Sequence, residues 1–74
     1  MTILEVVCTA PINGNTTVII KGDGSELSNG IGILDTSGTP HRVISVGMTS
    51  GQSEKERTTA LLVEGTFDSE FVYV

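Results

Sequence analysis

An all-β domain, a small barrel or sandwich of about six short strands, is what this sequence predicts, and three observations predict it. Apolar residues come in short runs separated by Gly, Asn, Ser, Asp and Pro, the rhythm of strands and turns. The runs are rich in β-branched residues, as in Thr16-Thr17-Val18-Ile19-Ile20, which suit a pleated surface better than a helix. The one helix-compatible stretch, Ser53 to Arg57, is too short to nucleate a helix alone. With 74 residues the chain suffices for one domain, residues 1–74.

The first predicted strand is Ile3 to Thr9, broken by Pro11 and the Asn13-Gly14 turn. Thr16 to Lys21 is the second, followed by a turn through Gly22, Asp23, Gly24 and Ser25. Asn29-Gly30 is a hairpin-type dipeptide. A third run, Ile31 to Leu34, ends at Asp35, Ser37, Gly38 and Pro40; a fourth spans Arg42 to Val46. Gly47 to Ser53 is expected as a polar connection. Thr58 to Val63 and Phe71 to Val74 complete the set. An apolar end with aromatic and β-branched residues is expected to dock on its own sheet or on a neighbour. Residues 1–14 allow two arrangements, a strand of the home sheet or an N-terminal arm that adds a strand to another chain.

Composition narrows the function. The net charge is −5, and the cations Lys21, Arg42, Lys55 and Arg57 are scattered. Counterion release from nucleic acid needs clustered cations, so no nucleic-acid partner is expected. An acidic membrane surface would repel the chain, and no apolar run is long enough for a helical span, so no membrane partner is expected either. No basic-then-apolar leader opens the sequence. A domain of this size has a thin core and commonly relies on disulfides, metals or partners. Cys8 is the only cysteine and His41 the only histidine, which leaves association as the expected source of extra stability.

No residue pattern calls for catalysis, and neither an enzymatic activity nor a cofactor is expected. His41 follows Pro40 at a loop or strand start, with no triad pattern around it, and reads as a loop histidine, exposed or hydrogen-bonded. Cys8, between Val7 and Thr9 and without a nearby cation, reads as a small core hydrophobe. Asp68 and Glu70 lack calcium-loop spacing and read as a solvated or interfacial face. Lys21-Gly22-Asp23-Gly24 has its lysine before the glycines and no helix after them, so it is a turn rather than a phosphate loop. Asn15-Thr16-Thr17 matches the glycosylation triplet, which is common by chance.

Two resemblances give this frame a function. Leu34-Asp35-Thr36-Ser37, Val46-Gly47, Thr58 to Val63, and Glu64-Gly65-Thr66-Phe67 with Glu70 downstream follow an order similar to the lambda-type head decoration proteins of tailed phages, over residues 31–73. The resemblance implies a virion structural protein, made in the host cytoplasm and bound to the capsid surface. It would act as a homotrimer at three-fold sites, stabilising the head with the major capsid protein and its own copies as partners. On that reading Ile3, Leu4, Val6 and Val7 are candidates for capsid contact by strand addition. Phe67, Phe71 and Tyr73 are candidates for the trimer interface, or else for the core. The chain is shorter than those proteins, and their long Pro- and Ala-rich arm is reduced here to at most residues 1–14.

The alternative is a translation-factor-like β-barrel binding module. Thr16-Thr17-Val18-Ile19-Ile20-Lys21-Gly22 and Ala60-Leu61-Leu62-Val63-Glu64-Gly65 resemble strands of the second domain of elongation factors. That resemblance implies binding to RNA or to a GTPase partner, and the acidic balance of this chain speaks against RNA.

Overall fold

The computed structural model describes residues 2–53 and 55–74, and its regular elements among them are all strands. β1 (Ile3–Ile12) and β2 (Asn15–Lys21) form a hairpin. β3 (Gly32–Leu34), β4 (Pro40–Ser50) and β5 (Thr58–Val63) form an antiparallel meander. β6 (Phe71–Tyr73) returns beside β3, which makes these four strands a Greek key. β2 pairs with β5, and β6 pairs back to β1, so the lateral order β1-β2-β5-β4-β3-β6 closes into a barrel. The all-β expectation holds, and of its two architectures the barrel is the one formed.

Local chemistry explains the joints. Asn13 and Gly14 both have positive φ, 47° and 81°, between the paired residues Ile12 and Asn15. That is a two-residue turn whose twist matches the flanking strands, and it needs residues that tolerate the left-handed region. β-Bulges interrupt β1 between Val6 and Cys8, and β4 between Val43 and Ser45 and between Val46 and Thr49. Each adds local twist, which helps so few strands curl to closure.

The core follows from period two. In β2 and β5 alternate residues are buried: Thr16, Val18 and Ile20 on one, Thr59, Leu61 and Val63 on the other. Ile33, Val43 and Val72 join them from the remaining strands, with Leu4, Val6 and Val46 packed alongside. Phe67 from the β5–β6 connection and Leu27 from the β2–β3 connection complete the core. Thr16 and Thr59 are buried hydroxyls near opposite ends of the β2–β5 ladder. Thr16 Oγ1 donates to the Gly65 carbonyl (2.7 Å) and accepts from the Phe67 N–H (3.0 Å). Thr59 Oγ1 donates to the Gly22 carbonyl at 2.8 Å and lies 3.0 Å from Thr49 Oγ1. One hydroxyl thus ties down a loop at each end of the barrel.

Several expectations are corrected. β1 runs past Thr9 to Ile12, carried by its hairpin partner, so Pro11 does not end it. β4 runs from Pro40 to Ser50, because its bulges keep Thr49 and Ser50 paired with Thr59 and Thr58; the connection expected from Gly47 begins only after Ser50. Asn29-Gly30 joins no hairpin, since β2 and β3 are not neighbours. Asn29 Oδ1 instead accepts the Val46 N–H at 2.8 Å, and the Gly30 N–H donates to the Val43 carbonyl at 2.7 Å, so the loop stands in for a strand beside β4. Of the Ser53 to Arg57 stretch, Glu54 lies outside the described residues; Glu56 N–H bonds the Ser53 carbonyl in a single turn.

Candidate interaction surface

The residues proposed for capsid contact lie in the home sheet, not on an arm. Ile3, Leu4 and Glu5 pair with Tyr73, Val72 and Phe71, and backbone bonds between Thr2 and Val74 extend the ladder. Alternation divides the four candidates. Leu4 and Val6 pack against the core, whereas Ile3 and Val7 face out, Ile3 being 58% exposed. Among the aromatic candidates, Phe67 takes the core alternative: it is 2% exposed, with its ring edge-to-face on His41 at a centroid distance of 4.8 Å. Phe71, 37% exposed, and the half-buried Tyr73 face out.

Those outward residues meet. Ile3 pairs with Tyr73, Tyr73 with Leu34, and Leu34 with Pro40, forming an apolar row across β1, β6, β3 and β4 with Phe71 beside it.

A second, broader face is built by β1, β2, β5 and β4. Thr17 and Ile19 on β2 face out beside Leu62 and Ala60 on β5. Ala10 pairs with Thr17 and Cys8 with Ile19 on one side; Ser45 pairs with Leu62 on the other. Ile12, Thr17, Ser45, Gly47, Ala60 and Leu62 line a shallow depression there. None of its named side chains is charged. The Lys21–Glu5 ion pair (3.2 Å) borders the face at its end. Gly47 helps keep the depression open, since a Cβ there would stand 3.1 Å from the Ala60 carbonyl oxygen.

Cys8 is corrected from core to surface: it is exposed on this face. Strict alternation from Leu4 and Val6 would turn Cys8 inward. The bulge at Val7 inserts one residue and shifts the phase, so Val7 and Cys8 both face out.

His41 is a hydrogen-bonded histidine at the start of β4. Its Nε2 lies 2.9 Å from Asp35 Oδ2. Asp35 Oδ1 accepts the backbone N–H groups of Ser37 (2.8 Å) and Thr39 (3.0 Å). The His41 hydrogen bond, and after it that of Thr39, holds the Asp35 carboxyl below its ordinary value. The pair clasps the β3–β4 turn, and the neighbouring surface beside Pro40, Arg42, Glu64 and Gly65 is open and shallow. Asp68 and Glu70 are both exposed.

The uncharged face escaped the sequence reading, although a signal for it was present. Thr17 and Ile19, like Ala60 and Leu62, occupy the alternate positions of their strands where a solvated face would carry charge. No protein-family model, curated protein or solved structure matches this chain.

Proposed function

We propose that this chain is a non-catalytic β-barrel binding module of the translation-factor-like kind, which docks on a protein partner through the uncharged face of β2, β5 and β4. One observation carries the reading. The two segments that resemble the elongation-factor barrel are β2 and β5, which pair with each other over six residues, Thr16↔Val63 to Lys21↔Thr58. Apart from Lys21 at its end, their shared outer face lacks the charged residues that a solvated strand face usually carries. Apolar area removed from water there would supply about 25 cal/mol per Å² of driving force, and a chain of net charge −5 favours a protein surface over RNA.

The test is a calorimetric titration of the chain against the purified GTPase domain of an elongation factor, with Ala60→Glu and Leu62→Lys as controls. Both variants change outward side chains and are expected to keep the strand circular dichroism while losing binding at least tenfold. Absence of binding by the unsubstituted chain, or binding that both variants retain, overturns the proposal.

A second reading, the capsid decoration protein, is favoured by the apolar row of Ile3, Tyr73, Leu34 and Pro40, which gathers three of the residues proposed for capsid or trimer contact when Phe71 is included. Against it, β1 is committed to its own barrel, and the Gly65-Thr66-Phe67 element is accounted for by the Thr16 clasp and core packing. Sedimentation as a trimer together with binding to expanded phage heads would favour this reading over the first.

A further inference from the structure

The barrel leaves one stretch of backbone without a second neighbour. β1 is ten residues long, but β6 covers only Ile3 to Glu5, with one further bond from Val6 N–H to the Glu70 carbonyl (2.9 Å). From Cys8 to Ile12 the strand is paired on the β2 side alone. The two-residue turn dictates which groups are free. Ile12 and Asn15 flank that turn, so they form a hydrogen-bonded pair, and hydrogen-bonded pairs alternate along an antiparallel ladder. The backbone groups of the intervening residues Pro11 and Thr9 therefore point to the open edge. This also explains why proline is tolerated inside a strand here: at Pro11 the ladder to β2 needs no N–H. The open edge offers the Thr9 N–H, the Thr9 carbonyl and the Pro11 carbonyl.

A cleft runs along this edge. Thr9 and Pro11 line one wall, and Thr66, Phe67 and Asp68 of the β5–β6 connection line the other, with Thr16 also contributing. The floor is apolar and hydroxylic. Among the described residues, Asp68 is the only ionisable side chain lining it, and no cation is among the lining residues.

We propose that this edge and cleft accept an extended peptide strand from a partner, carrying a lysine or arginine at the position that faces Asp68. Free edge groups recognise extended backbone irrespective of its sequence, and alternate side chains of an added strand drop into whatever pocket flanks the edge. Here the flanking pocket selects a basic residue, because its charge is negative and uncompensated. Pro11 shortens the hydrogen-bonding edge, which disfavours pairing between two copies of this strand and reserves the edge for a short segment. The surface is separate from the β2–β5–β4 face, so the two proposals stand or fall independently.

The experiment is an NMR titration of the isotope-labelled chain with a capped pentapeptide, Thr-Val-Lys-Val-Thr, in parallel with its Lys-to-Glu counterpart and with a version N-methylated at alternate amides. The lysine peptide is expected to shift the Thr9, Thr66 and Asp68 amides and to slow exchange of the Thr9 N–H. The glutamate and N-methylated peptides are expected to bind at least threefold more weakly. Asp68→Asn, which replaces an exposed side chain, should remove about threefold of the lysine preference, the size of a partly solvated ion pair. Equal binding of the lysine and glutamate peptides, shifts centred on another surface, or no binding at all would refute the inference.

Discussion

At the scale of single residues, two buried or clasped polar groups hold more of this fold than their size suggests. Thr16 joins β2 to the segment carrying Phe67, donating to Gly65 and accepting from Phe67 while 4% exposed. Thr16→Val keeps the shape and strands both partners, so a loss of about 1–3 kcal/mol is expected in urea unfolding. A 74-residue domain has roughly 4–11 kcal/mol in all, so that loss shows clearly. Asp35 gives a pH-dependent counterpart. Its folded pKa lies below its unfolded value, because of His41 first and then Thr39. A group shifted down contributes stability that is full above the unfolded carboxyl value and is lost as pH falls through the folded one. Unfolding midpoints measured from neutral pH to about pH 2 should therefore decline more gently for Asp35→Asn than for the parent chain, once below the ordinary aspartate value of about 3.9. Cys8 is the third residue with a clear outcome. Exposed on β1, it should be alkylated by iodoacetamide in the folded state at a rate close to that in urea.

At the scale of elements, the β1–β2 hairpin is where local sequence dictates geometry most directly. Nothing lies within 4 Å of a Cβ built on Gly14, so the cost of Gly14→Ala is one of backbone conformation alone, about 1–2 kcal/mol for a positive φ of 81°. A synthetic chain with D-alanine at that position should regain the parent stability in the same unfolding experiment, because a D-residue favours that region. The bulges show the opposite case. Nothing in the Val6-Val7-Cys8 stretch announces that the strand will slip phase, and the slip alone moves Cys8 from the core to the surface. The same holds for Gly47-Met48, where an apparent connection is part of a bulged strand.

At the scale of the whole molecule, closure is uneven. β3 and β6 meet through the single pair Leu34↔Tyr73, supported by Ser69, whose Oγ accepts the Thr36 N–H (3.1 Å) and donates to the Phe71 carbonyl (2.9 Å). Elsewhere the ladders are longer, six residues for β2 and β5. A short seam opens at lower free energy than a long one. Among the strand amides hydrogen-bonded within the barrel, exchange should therefore be fastest in β3 and β6 and slowest in β2 and β5, a difference that amide-resolved NMR reads directly.

What the sequence by itself determined is the class and the rhythm: six short runs rich in β-branched residues and the turns that punctuate them, the Asn13-Gly14 turn among them. These are local properties, set by backbone sterics and period-two burial, and they need no knowledge of neighbours. The lateral order, the commitment of β1 to its own barrel, the burial of Phe67 and the outward turn of Cys8 were decided only by tertiary structure. Each depends on which strands become neighbours and where the ladders slip by one residue, and strand pairing between distant segments leaves no mark in the residues of either strand taken alone.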